Sequence, residues 1–259
     1  MRATFALLIF LIVIFGTYAL LHEAELPPQQ PIPDFNTLPF SSMLTASSSP
    51  LVTVPDATST PLNPSESIVA PAPARKRVMT TYFWVGESAG PENGYITNVA
   101  SYFDSRWAEH FGGEDDPQNR CGFQPCTFVP KENSFYFALP YADLDHDGNR
   151  KISSMRIPWY EEADHDETII KNRWIEIKYK NKVCYAQWAD VGPFGEEDFD
   201  YVFGESAQPK NKENDSAGLD VSPAVWDCLA MPTNDYTEWR FVEEKDVPPG
   251  PWMEIVTRS

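Results

Sequence analysis

Positive charge is scarce in this chain. Across 259 residues, 20 Lys and Arg stand against 38 Asp and Glu, which gives a net charge of −18 and a pI near 4.5. A surface that acidic repels phosphate backbones, which argues against nucleic acid as a partner. It repels anionic lipid as well, so any tie to a membrane must be hydrophobic. Histidine is rarer still, with four in the chain. None lies close enough to Cys121 and Cys126 to complete a zinc knuckle, and none sits beside Cys184 or Cys228 to activate a thiol. No cofactor and no metal site is expected. Internal repeats are missing, and so is the alternation of strand and helix patterns that marks a parallel α/β sheet.

Long apolar runs are missing too, with one exception. Residues Ala3 to Leu21 carry no charge and come close to the ~20 residues a spanning helix needs. Arg2 precedes them and His22-Glu23 follow, so the positive-inside tendency leaves Met1 in the cytoplasm and exports the rest. Residues 1–24 read as a signal anchor, or as a signal peptide if Thr17-Tyr18-Ala19 marks cleavage. Either way the folded part lies outside the cytoplasm. Eleven of the 24 prolines fall between Leu26 and Ala74. Proline breaks both helices and ladders, so residues 25–77 are expected to be a disordered tether ending in the basic triplet Arg75-Lys76-Arg77.

From residue 78 onward the chain reads as one folded domain. Short extended runs dominate: Thr80–Val85, Ile96–Phe103, Ser134–Leu139, Arg173–Tyr179, Val183–Trp188, Trp239–Val242 and Met253–Val256. Ile175, Ile177 and Tyr179 alternate onto one face, and Lys180-Asn181-Lys182 turns that strand into its partner. Trp107–Phe111 suggests a short helical turn. Ser222 followed by Pro223 is a helix start with a side-chain cap, predicting a helix over 224–230. Residues 195–218 are polar and acidic and read as an exposed loop. Asp143-Leu144-Asp145-His146-Asp147-Gly148 begins like a calcium loop, but Ser154 stands where the closing Glu belongs, so an acidic turn is the better reading. Four Cys in an exported chain suggest two disulfides among three possible pairings. A local Cys121–Cys126 bridge could close the loop between them.

Two aspartates stand out. Asp190 ends an apolar strand just before Gly192-Pro193, where partial desolvation beside Trp188 would raise its pKa toward that of a general acid. Asp220 precedes Ser222-Pro223, where a carboxylate can help cap a helix or serve as a second acid. Around them, Ala189-Asp190-Val191-Gly192-Pro193-Phe194 is similar to the Asn-Asp-Arg-Gly-Pro-Phe strand-turn of the rare lipoprotein A family. Leu219-Asp220-Val221-Ser222 is similar to that family's Ile-Asp-Leu-Ser. The Trp174–Lys182 arm and Phe137-Ala138-Leu139-Pro140 resemble its neighbouring segments. The resemblance covers about half the chain.

It implies a mainly β fold, a six-stranded double-psi β-barrel with short helices and loop insertions, related to expansins and expansin-like endoglucanases. It implies an exported lytic transglycosylase acting on peptidoglycan, with Asp190 and Asp220 as catalytic carboxylates. Its alternative is a non-catalytic, expansin-like wall-binding module. Ala100-Ser101-Tyr102-Phe103-Asp104 looks like the Tyr-Trp-Asp strand of the endoglucanases, which adds Asp104 as a catalytic candidate. Trp188 and Tyr102 are the expected substrate contacts, while Trp107, Trp174 and Trp226 read as core. A Cys184–Cys228 bridge would pin the Asp190 strand to the helix after Asp220. Three departures stand against the family pattern: Val191 replaces Arg, residues 195–218 are a long insertion, and the family's Ser-Gly-Glu carboxylate has no clear counterpart.

Overall fold

The computed structural model describes residues 76–160 and 167–258. The expected signal anchor and most of the proline-rich tether lie outside the described residues. Six strands close into a barrel: β1 (Lys76–Tyr82), β4 (Tyr136–Leu139), β5 (Trp174–Tyr179), β6 (Lys182–Val191), β7 (Ala217–Val221) and β8 (Asp235–Val242). Their order around the barrel is β1-β7-β4-β6-β5-β8. Pairs β1/β7 and β4/β6 run parallel, and the other four pairs run antiparallel. The short strands β2 (Arg120–Cys121) and β3 (Gln124–Pro125) form a separate hairpin, closed by the Cys121–Cys126 disulfide.

Inward side chains of the six strands make the main core. Phe137, Leu139, Ile175, Ile177, Trp188, Leu219, Val221 and Trp239 are fully or almost fully buried there. Each contributes about 1.5–3 kcal/mol by leaving water. A second cluster lies against the outer side of β4, with Phe83, Val85, Trp107, Phe111 and Tyr136 packed around Ala138. Helix α1 (Trp107–Phe111) supplies two of these. Helix α3 (Pro223–Leu229) starts as expected: Ser222 Oγ accepts the Val225 N–H at 3.3 Å, with Pro223 at the first helical position. The Cys184–Cys228 disulfide joins β6 to α3.

Several expectations change. Strand β1 takes in Lys76 and Arg77, which were expected to end the disordered tether. The Lys76 ammonium donates to the carbonyls of Tyr201 and Gly204. Residues 96–103 form bends rather than a strand, and residues 253–256 form none either. The reason is shared: a closed barrel has no edge left to pair. The C-terminal stretch is held by side chains instead, with Gln187 Oε1 accepting the Thr257 N–H at 2.9 Å.

Residues 195–218 are not simply an exposed loop. Within them, helix α2 (Phe199–Val202) buries Phe199, Tyr201 and Val202 against the main core. Tyr201 donates its hydroxyl to the Gly218 carbonyl at 3.0 Å and accepts from Trp239 Nε1 at 3.1 Å. Gly218 permits this contact, since a Cβ there would lie 2.8 Å from the Tyr201 hydroxyl. Truncating Tyr201 to Ala should therefore cost about 3–5 kcal/mol of unfolding free energy in denaturant titration. A change within about 0.5 kcal/mol, as at surface sites, would contradict this packing.

Candidate functional site

The site is organised by Ala138 in the middle of β4. On one side Ala138 pairs with Asp220 of β7, and on the other with Asp190 of β6. Laterally paired residues point to the same side of a sheet, so both aspartates share the outer face with Ala138. Their backbones are two strand spacings apart, about 10 Å. The small Ala138 side chain lies between them, buried in the second aromatic cluster. Thr81 of β1 extends the same row next to Asp220, and its hydroxyl donates to Asp220 Oδ1.

Strict alternation along β6 would send Asp190 the other way. Cys184, Ala186 and Trp188 all face the main core, and a period of two would put Asp190 with them. The β4/β6 register instead slips after Phe137–Trp188, so that Ala138 meets Asp190 and Ala189 is the extra residue. A bulge of this kind re-aims the side chain that follows it. Asp190 Oδ1 then accepts the Tyr102 N–H at 2.7 Å and the Val191 N–H at 2.8 Å. Its backbone carbonyl accepts Trp188 Nε1–H at 2.7 Å.

Both carboxyls are shifted upward. Burial pushes Asp190 up to about 7; the Tyr102 and Val191 N–H groups pull the other way, and the charge of Asp220 adds to the rise. Burial likewise pushes Asp220 up to about 6, opposed by the Thr81 hydroxyl and reinforced by Glu87. Burial raises the Tyr102 hydroxyl to about 12, helped by Glu196, Glu197, Asp145 and Asp143. The charges that weigh on this face are carboxylates.

Compared with known proteins, the chain matches no family model and no curated sequence.

The remaining expected site residues fall in different places. Trp188 is fully buried inside the barrel and offers no face to a ligand; it supports Asp190 from within. Tyr102 is half-buried on the outer side, with its ring 5.5 Å from His146. The Ser101–Asp104 stretch is a turn, with the Ser101 N–H donating to the Asp104 carbonyl at 2.9 Å, and not the strand its sequence resembles. Asp104 Oδ2 lies 2.6 Å from His110 Nδ1. Burial opposes its ionisation, but the Arg106 N–H and His110 outweigh it and hold Asp104 below the usual carboxylate value. It is an ionised partner of His110 rather than a third member of the pair.

Sequence reasoning missed Thr81, Ala138 and Glu87. Glu87 is buried just past the end of β1, its Oε2 accepting Asn98 Nδ2–H at 2.6 Å, and its charge acts on Asp220. The one available signal was the Gly86-Glu87 step directly after an extended aromatic run. In the acidic turn, Asp143 is fully buried and faces Arg150, Thr168 Oγ1 and the Ile169 N–H. Among the described residues, no group of three or more His, Cys, Asp or Glu is arranged to hold a metal ion.

The raised carboxyls fix a pH dependence. Their folded pKa values of about 7 and 6 exceed the unfolded value of about 4. The stabilisation is therefore complete below about pH 4 and is lost as pH rises through the folded values. Unfolding free energy should fall between about pH 4 and pH 7 and level off above that. Asp190→Asn, which keeps the acceptor for Tyr102 and Val191, should gain on the order of 1–3 kcal/mol over the parent at pH 8 and little at pH 4. Parallel pH profiles for the two proteins would contradict the assignment.

Proposed function

We propose that the chain is an exported enzyme that cleaves a cell-wall polysaccharide by aspartate acid/base catalysis, in the manner of the lytic transglycosylases its motifs resemble. The observation that carries this reading is the pair of raised carboxyls flanking Ala138 on one outer face. Two parallel pairs joined through the antiparallel β4/β7 contact support the finer description of a double-psi barrel. The two disulfides fit an oxidising compartment, and the apolar Ala3–Leu21 stretch is the proposed membrane tie.

Asp190, with a pKa near 7, keeps a proton at near-neutral pH and is the proton donor to the glycosidic oxygen. As the C–O bond breaks, positive charge builds on the sugar ring, and Asp220 with Glu87 supplies the negative field that stabilises it. The sugar's own hydroxyl then attacks the anomeric carbon and returns its proton to the Asp190 carboxylate. Peptidoglycan strands are the substrate that the resemblance implies. Val191, where the family has Arg, leaves out the cation that an anionic strand would meet.

One observation favours the second reading, a non-catalytic wall-binding module: Asp190 is only 9 % exposed, which narrows access to its proton. Incubating the full-length chain with purified wall glycans separates the two. The enzyme reading expects chain cleavage with anhydro-sugar ends, slowed at least about 100-fold in Asp190→Asn. The rate should fall as pH rises through 7, where the donor loses its proton. Binding to insoluble wall with no product from any glycan would establish the module instead.

A further inference from the structure

Where β1 ends, one aromatic ring touches two others. Tyr82 ends β1, one residue after Thr81, and is 37 % exposed. Its ring centroid lies 4.8 Å from that of Trp226 on α3 and 5.8 Å from that of Trp84. Trp84 and Trp226 are each half-buried. Trp226 packs against the main core, as the sequence pattern suggested, and is half-buried at its margin. Glu87 connects these rings to the site, since its charge acts on both the Tyr82 hydroxyl and Asp220.

Two carboxylates lie close to the rings. Glu114 Oε1 accepts Trp84 Nε1–H at 3.3 Å. Asp227 follows Trp226 in α3 with its side chain 51 % exposed. A cation lies close to Asp227: Arg120 is buried, donates to Asp115 and to the Phe123 carbonyl, and comes within 3.7 Å of it. Exposed aromatic faces attract the apolar faces of sugar rings and, through their quadrupole, cations. A rim of carboxylates adds attraction for positive charge and repels negative charge.

We infer that Tyr82, Trp84 and Trp226 form a stacking platform for an amino-sugar polysaccharide whose free amines are positively charged. This rests on the glycan-cleaving reading, and it narrows the substrate class. A strand bearing lactyl or uronic carboxylates meets a face of its own charge. A polymer of de-N-acetylated glucosamine meets aromatic faces for its rings and carboxylates for its ammonium groups.

The test is a charge series of binding measurements on the full-length chain at pH 6.5, with glucosamine oligomers, N-acetylglucosamine oligomers and muramic-acid-containing glycan strands. Glucosamine oligomers should bind most tightly and muramic-acid strands most weakly, and the advantage of the amine should shrink as salt is raised from 50 to 500 mM. Trp226→Ala and Tyr82→Ala should each weaken glucosamine binding about three- to tenfold. Equal or tighter binding of muramic-acid strands overturns the inference without any variant, and so does unchanged binding in folded aromatic variants. If the predicted order holds but no glycan is cut, the platform stands and the catalytic reading falls. If cutting depends on Asp190 while the aromatic variants bind like the parent, the platform falls and the catalytic reading stands.

Discussion

A closed barrel forces every strand residue to choose between inside and outside, and the site depends on one break in that rule. Alternation carries Cys184, Ala186 and Trp188 into the core. The slip at Ala189 then turns Asp190 outward to face Ala138. Without it, the carboxyl would point among aromatic side chains, where its charge has no solvent and no partner. With it, the carboxyl sits at the margin between core and surface. It is desolvated enough to hold a proton near neutrality and open enough to share a face with Asp220.

The surrounding structure stiffens this arrangement. Trp188 fills the interior beneath Asp190 and donates to its backbone carbonyl. The Tyr102 backbone closes over it from the 96–106 segment. The Cys184–Cys228 bridge fixes β6 to the helix that follows Asp220, so the two aspartates are tied by a covalent link as well as through β4. On the far side of the row, Thr81 and Glu87 set the surroundings of Asp220 from the end of β1.

Much of the frame was legible because local rules and the final fold agree. The β5/β6 hairpin follows from alternation and a polar turn, α3 from its Ser-Pro start, and the bridges from an even cysteine count. The 195–218 segment misled because Phe199, Tyr201 and Val202 are too few to stand out against its acidic composition, although they fill the core. Residues 96–103 and 253–256 have strand-like composition, but pairing is a property of the closed sheet and not of the segment. The site was half legible. Asp190 and Asp220 were marked by their neighbours, whereas the bulge at Ala189 carries no Gly or Pro to announce it. Ala138 matters only through its register, and Glu87 only through where β1 ends.

The central claim is that Asp190 and Asp220 are a coupled, partly desolvated pair across Ala138. Carboxyl carbon NMR titration of the full-length chain measures this directly. The account predicts midpoints near 7 for Asp190 and near 6 for Asp220, with the Asp190 midpoint falling when Asp220 is replaced by Asn. Midpoints near 4 for both, the value of solvated aspartates, or an Asp190 midpoint indifferent to Asp220, would contradict it.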